Sequence, residues 1–124
     1  MDIKTLKDYC LQKKGSITDY PFGEEALVIK VAGKMFALLP VGAKPPRINL
    51  KCDPTWAEVL RQTYTAVTPG YHMSKRHWNT IIVDGSIPDA EIFEMLDHSY
   101  ELVVKGLSKV ERGKLKETET FPIS

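Results

Sequence analysis

The features that the sequence lacks exclude several classes of protein. No run of about 18 apolar residues occurs in the chain, so no membrane span is expected. The N-terminal segment MDIKTLKDYCLQKKG is charged and periodic, without the apolar core and small-residue cleavage site of a secretory signal. Cysteine is limited to Cys10 and Cys52, which form no CxxC pair. We therefore expect two reduced, buried thiols in a cytoplasmic protein.

The sequence also lacks the motifs that identify phosphate-binding, metal-binding and catalytic proteins. The stretches GSIPD and VGAKPP fit neither G-x-G-x-x-G nor the P-loop pattern. His72 and His77 are further apart than the i, i+4 spacing of two ligands on one helix face, and no third ligand lies nearby in sequence. No flanking motif indicates an exposed thiolate at Cys52. We expect no metal, no cofactor and no enzymatic activity. If the protein were an enzyme, Cys52, His72 and His77 would be the first residues to examine.

The composition is that of an ordinary globular protein of one domain. Apolar residues make up 43% of the 124 residues and charged residues 27%. The net charge of +1 hides an asymmetry, because eight cations and two acids give residues 30–76 a charge of +6 and leave −5 for the rest. Much of this negative charge falls in PDAEIFEMLDHSYE, a predicted helix. A dipolar protein of this kind favours an anionic partner for its basic middle.

Hydrophobic periodicity predicts an α+β fold, with an antiparallel β-sheet and helices packed on one of its faces. An amphipathic first helix ends at Gly15. The pair Gly33-Lys34 turns the strand LVIKVA into the strand MFALLPV, which predicts a β-hairpin. The strand RINLKC follows, with Ile48 and Leu50 inward and its polar residues outward.

The second half of the chain is predicted to add a helix, one or two strands and a long last helix. Asp53-Pro54 is a strong helix start, with a capping side chain before a proline. The strand WNTIIVD is apolar on both faces, which is typical of a strand inside a sheet. Ser86 and Asp89 suit a capping box before the last helix. The final segment has charge without periodicity, so we assign one domain to residues 1–115 and a frayed tail to residues 116–124.

Five cations form the best candidate for a binding surface. They lie in a predicted loop (Lys44), on the outward face of the next strand (Arg47 and Lys51) and in the turn of YHMSKRHWN (Lys75 and Arg76). Such cations could contact a phosphate backbone, while Tyr71, His77 or Trp78 could stack on an exposed base. The alternative is a solvated sheet face with charged turns that discourage edge-to-edge pairing.

Four stretches of the sequence resemble the MmcQ/YjbR family of small bacterial proteins: PFGEEALVIKVAGKMFAL, INLKCDP, PGYHMSKRHWNTIIVDGSIPD and SYELVVKGL. The similarity extends from about residue 3 to residue 115. It implies a fold like that of frataxin and CyaY, with two β-loop wings near Val41–Arg47 and Tyr71–Trp78. This double-wing arrangement implies DNA binding, and the family brings no catalytic residues. Iron binding is not implied, because the first helix KTLKDYCLQKK is basic.

Two functions therefore remain open. The first is a cytoplasmic, non-enzymatic module that binds DNA, and a regulatory role would fit it. Its contacts would come from Lys44 and Arg47 on the first wing, from Lys75 and Arg76 on the second, and from Lys51, with Trp78 holding the second wing to the sheet. The rival is a protein-interaction or small-molecule-binding domain, whose basic face meets an acidic protein or an anionic metabolite.

Overall fold

The computed structural model describes residues 1–70 and 73–119, which form one antiparallel sheet and four helices. The elements follow in the order α1 (Ile3–Leu11), β1 (Ser16–Asp19), β2 (Ala26–Val31), β3 (Lys34–Pro40), β4 (Arg47–Lys51), α2 (Pro54–Thr63), β5 (Val67–Pro69), β6 (Trp78–Ile82), α3 (Asp89–Lys105) and α4 (Lys109–Glu119). The six strands are arranged β1-β2-β3-β4-β6-β5. The predicted α+β class is confirmed. No helix within the described ranges is long and apolar enough to cross a membrane.

One face of the sheet, here called the inner face, packs against α1, α2 and α3 and forms the core. Side chains alternate along a strand, so Ile48 and Leu50 of β4 lie on this face and are buried, as predicted. Helix α3 covers the strands with a stripe of buried residues: Ile92, Met95, Leu96, Ser99 and Val103. Strand β6 lies between β4 and β5, in agreement with its apolar character on both faces.

The predicted hairpin joins β2 to β3, with its turn one residue earlier than expected. Val31 pairs with Lys34, so Ala32 and Gly33 are the two turn residues. Both have positive φ angles, 50° and 76°. A two-residue turn of this kind matches the right-handed twist of the flanking strands, which is why it connects hairpins so often.

Helix α2 begins as predicted. The side chain of Asp53 accepts hydrogen bonds from the backbone N–H groups of Thr55 at 3.1 Å and Trp56 at 3.2 Å, and Pro54 occupies the first turn. These bonds satisfy two of the donors that a helix start leaves unpaired.

The capping box predicted from Ser86 and Asp89 is wrong. Helix α3 follows Pro88, and no side chain caps it. Ser86 instead donates its backbone N–H and its hydroxyl to Asp84, at 3.0 and 2.6 Å. The aspartate thus closes a local turn with the serine that the sequence pattern assigned to the helix.

Helices α1 and α4 also differ from their predictions. Helix α1 ends at Leu11, ahead of Gly15. The expectation that charge without periodicity leaves the C-terminal segment unstructured is wrong as far as Glu119, because α4 is helical to that residue. The hydroxyl of Ser108 accepts from the N–H of Glu111 and the carboxylate of Glu111 accepts from the N–H of Ser108, both at 3.1 Å. This capping box starts the helix. Residues 120–124 lie outside the described residues.

Candidate nucleic-acid interface

The outer face of the sheet, opposite the helices, carries the predicted strand cations. Arg47, Asn49 and Lys51 alternate with the buried residues of β4 and therefore lie on this face. In register they face Ile82, Thr80 and Trp78 of β6, respectively. Arg47 is exposed and Lys51 is half-buried. Lys51 therefore pairs with Trp78, which directly follows the basic turn of the stretch YHMSKRHWN.

That turn, here called the second loop, comprises residues 73–77 and has a defined backbone. The carbonyl of Ser74 accepts from the N–H groups of His77 at 3.0 Å and Trp78 at 2.9 Å. The carbonyl of His77 accepts from the N–H of Cys52 at 2.8 Å. Lys75 and Arg76 lie inside this turn and are exposed. Tyr71 and His72, which belong to the predicted wing, lie outside the described residues.

Arg61 of α2 holds the second loop against the helix layer. Its Nε donates to Asn79 Oδ1 at 2.7 Å, and its guanidinium also donates to the carbonyl of Trp78 at 3.2 Å and to the carbonyl of Lys75. The planar fork of arginine suits several acceptors at once. Arg61 is one of the eight cations of residues 30–76, and no local sequence pattern distinguishes an anchoring arginine from a solvated one.

Gly70 allows the strand that precedes the loop to approach Trp78 closely. Its N–H donates to the carbonyl of Trp78 at 2.8 Å. A Cβ added at Gly70 would lie 3.0 Å from the Cβ of Trp78, which is too close without a shift of the strands. The start of β6 is therefore fixed from two sides, by Gly70 and by Arg61.

The first loop, residues 41–46, lies at the opposite end of β4. It precedes Arg47, whereas the second loop adjoins Lys51. Backbone bonds of 2.8 Å join Val41 N–H to the carbonyl of Glu25 and Val83 N–H to the carbonyl of Pro46. Glu25, which directly precedes β2, and the segment that leads to Asp84 therefore adjoin this loop, which contains Lys44.

Between the two loops the outer face contains a pocket that the sequence did not predict. Its volume is about 530 Å³, and its lining residues are Phe22, Met35, Leu38, Pro40, Asn49, Met73 and Trp78. The sequence contains a signal for it, because MFALLP is apolar on both faces although only one face of β3 meets the helices. The shape of the pocket depends on loops from distant parts of the chain, which the pattern does not place.

Among the cysteines and histidines that the structure describes, which exclude His72, no metal-ligating or reactive cluster occurs. Burial raises the pKa of the Cys10 thiol to about 12 and that of Cys52 to about 11, so both favour the neutral form. His77 is exposed in the second loop. His98, which the sequence did not single out, accepts a bond from Asp53 N–H at 3.1 Å and contacts the Trp56 ring edge-on. No group of three metal-ligating side chains occurs in the described part of the chain.

Known proteins share both the sequence pattern and the fold. The family model described as YjbR matches residues 11–102. The uncharacterized protein YjbR of Escherichia coli K12 is 37% identical over 115 residues, which cover 93% of this chain and 98% of that protein. A Deinococcus radiodurans structure with a DUF419 domain has a TM-score of 0.87 at 38% identity, covering 92% of this chain and 87% of that one. A Pseudomonas syringae structure has a TM-score of 0.70 at 27% identity, covering 82% and 98%.

Proposed function

The chain belongs to the YjbR family, and from this premise we propose that it is a cytoplasmic, non-enzymatic module that binds the phosphate backbone of DNA. The E. coli relative is itself described as uncharacterized, so the support comes from the geometry of the basic residues. Phosphate contacts position a protein on a duplex and provide much of its affinity. Surface cations held in a fixed arrangement are suited to this task.

The grouping of Lys51 with the second loop carries the proposal. Lys51 pairs in register with Trp78, which directly follows the loop that contains Lys75 and Arg76. The bonds from Arg61 hold the backbone of this loop in place. Three cations therefore form a basic corner around the start of β6 on a fixed frame, with Lys51 on the outer face and Arg76 beside α2. A preorganised group of cations loses less conformational entropy when it binds than cations on a free loop.

The first loop extends this corner to a second contact region. Arg47 and Lys51 lie four residues apart on β4. At about 3.3 Å per residue their Cα atoms are separated by about 13 Å, which is close to the roughly 12 Å width of the major groove of B-DNA. The two basic groups therefore have the spacing needed to contact phosphates on both sides of one groove.

The second region carries more of the candidate cations than the first, namely Lys51, Lys75 and Arg76 against Lys44 and Arg47. At the first loop, the backbone carbonyl of Glu25 accepts from Val41 N–H, and Val83, which precedes Asp84, donates its N–H to the carbonyl of Pro46. Near the second loop, Glu58 lines a shallow cleft together with Arg61 and Arg76. We expect most of the binding free energy to come from the second region.

Fluorescence anisotropy with labelled duplex and single-stranded DNA at several salt concentrations tests the proposal. If all five cations contact phosphates, the log–log salt slope for duplex is near −4.5, at about 0.9 per phosphate neutralised. A Lys75→Glu/Arg76→Glu variant should bind the duplex at least about tenfold more weakly at low salt and show a shallower slope, because two contacts become repulsions.

A matched variant separates a specific surface from a general effect of charge. Lys109 and Arg112 are exposed on α4, in the helix layer. Lys109→Glu/Arg112→Glu makes the same change in net charge and should retain nearly all of the duplex affinity. Equal weakening by the two double variants contradicts the proposal, as does an absence of wild-type binding at low salt.

A further inference from the structure

We propose that the outer-face pocket is a binding site for a small ligand with a flat, apolar body and one acidic group. This site adjoins the basic corner, with which it shares Lys51 and the second loop, but it does not depend on DNA binding. The volume of about 530 Å³ lies within the range of about 300–1,000 Å³ that is usual for small-molecule sites. Six of the seven lining side chains are apolar, and the seventh is Asn49.

The apolar character of this surface is more than the fold requires. The outer face of an antiparallel sheet that packs helices on one side is normally polar. Here Met35, Leu38 and Pro40 of β3 form the floor of the pocket, and all three remain partly exposed. Phe22, at one wall, is 70% exposed, the largest value among the large hydrophobic residues of the described chain. A ligand that covers these groups removes their apolar area from water, which is the main source of affinity in such sites.

The side chains in the walls of the pocket favour a flat ligand, and some of them can adjust to its shape. Phe22 comes from the connection between β1 and β2, and Met73 comes from the second loop, so the pocket is closed from two sides. Trp78 adds an aromatic side chain whose backbone is fixed by Gly70 and Arg61. Methionine side chains adjust to irregular shapes and make favourable contacts with aromatic rings. Together these residues suit a planar ring system better than a branched aliphatic chain.

The charge around Asn49 favours an acidic group on the ligand. Asn49 accepts from the Thr80 hydroxyl and donates to the carbonyl of Leu38 at 3.3 Å. These two bonds use one of the two hydrogens that an amide nitrogen offers. Arg47 and Lys51 flank Asn49 on the same face of β4, and no acidic residue lines the pocket.

The opposite side of the pocket is electrically balanced. Lys30 of β2, which pairs with Met35 in register, forms an ion pair with Asp19 at 2.8 Å. Among the described residues, neither Arg47 nor Lys51 forms such an ion pair with a carboxylate. The unbalanced positive charge is therefore on the β4 side, and an anionic group of the ligand would be stabilised there.

Two naphthalene probes test the site directly in the purified full chain. The first, 1-anilinonaphthalene-8-sulfonate, carries a flat body and one negative charge; the second, N-phenyl-1-naphthylamine, has nearly the same body and no charge. We expect saturable fluorescence enhancement by both probes at one site per chain, with the charged probe bound more tightly. Lys51→Met should weaken the charged probe at least fivefold and change the neutral probe less than twofold. Lys34→Met, at an exposed hairpin cation, serves as the control.

A second pair of variants tests the location. Phe22→Ala removes a pocket wall from an exposed position, so the fold should be unaffected, and both probes should bind at least fivefold more weakly. Ile17→Ala removes a hydrophobic group that is 57% exposed outside the pocket and should leave both probes unchanged. Unsaturable binding, or equal effects of these two variants, overturns the proposal. Displacement of the neutral probe by single-stranded DNA would also overturn it, because the pocket would then hold a base.

Discussion

The two faces of the sheet differ in how completely their groups are satisfied within the fold. On the inner face, apolar side chains are covered by helices, and the buried hydroxyl of Ser99 donates to the carbonyl of Phe36 at 2.6 Å and accepts from the N–H of Lys51 at 2.9 Å. On the outer face, Phe22 and the floor of the pocket remain accessible beside unbalanced cations. The inner face thus accounts for the stability of the fold, and the outer face carries groups that stability does not require.

Two adjacent leucines on β3 give the sharpest form of this contrast. Leu39 is fully buried in the core, and Leu38 lines the outer pocket. Leu39→Ala should lower the free energy of unfolding by about 2–5 kcal/mol, because it removes buried apolar area and leaves a cavity. Leu38→Ala should lower it by at most about 1.5 kcal/mol, because this side chain is already partly in water. Urea unfolding followed by circular dichroism measures both values.

The same two variants should affect ligand affinity in the opposite order to their effect on stability. Leu38→Ala should weaken both naphthalene probes, whereas Leu39→Ala should leave their affinity unchanged in the fraction that is folded. If the two substitutions cost equal free energy of unfolding, the outer face is as well packed as the inner one. The contrast between the faces would then be wrong.

Two buried serine hydroxyls provide a smaller test, which concerns hydrogen bonding within the inner layer rather than the contrast between the faces. Ser99→Ala leaves the Phe36 carbonyl and the Lys51 N–H without their partner and should lower stability by about 1–3 kcal/mol. The buried hydroxyl of Ser16 makes no hydrogen bond with the described residues. Ser16→Ala should therefore be neutral or raise stability by about 1 kcal/mol. Chemical denaturation of both variants under one set of conditions checks the difference, and equal losses would contradict it.

The inner face was predictable because burial leaves a periodic signal in the sequence. Alternation alone predicts that Ile48 and Leu50 lie inward, and the Asp53-Pro54 start of α2 follows from the chemistry of a helix end. The errors occurred where two local bonding patterns compete. Ser86 satisfies both a capping box and an aspartate turn, and only the folded chain shows that the turn wins. Ser108 and Glu111 are a sequence signal for the start of α4, but the apolar periodicity that would identify the helix itself is weak.

The candidate sites were predictable only in part. Outward orientation of Arg47 and Lys51 follows from alternation, but their relation to the second loop depends on the pairing of β4 with β6. The anchoring by Arg61 and the pocket depend on how segments far apart in sequence come together, as Phe22 and Met73 do when they line one pocket. Local patterns contain no information on such pairings, so these features required the structure.

Thiol reactivity measures how accessible each face of the sheet is to solvent. Burial raises the pKa of Cys10 to about 12 and of Cys52 to about 11, from 9.0. At pH 8 the native thiols therefore carry roughly a thousandfold and a hundredfold less of the reactive thiolate than an unperturbed thiol. Their reaction with 5,5′-dithiobis(2-nitrobenzoate) should be correspondingly slow in the native protein, and it should become fast in urea.

A cysteine on the outer face supplies the comparison. Leu38→Cys places a thiol on the floor of the accessible pocket, and this thiol should react rapidly while the two native thiols remain slow. The native rates should rise about tenfold per pH unit above pH 8, because thiolate is still the minor form. The contribution of the two protonated thiols to stability should be complete below pH 9 and should be lost as the pH rises toward 11 and 12, since unfolded thiols lose protons that folded ones retain. Native thiols that react as fast as the introduced one would mean that the inner face is open to solvent.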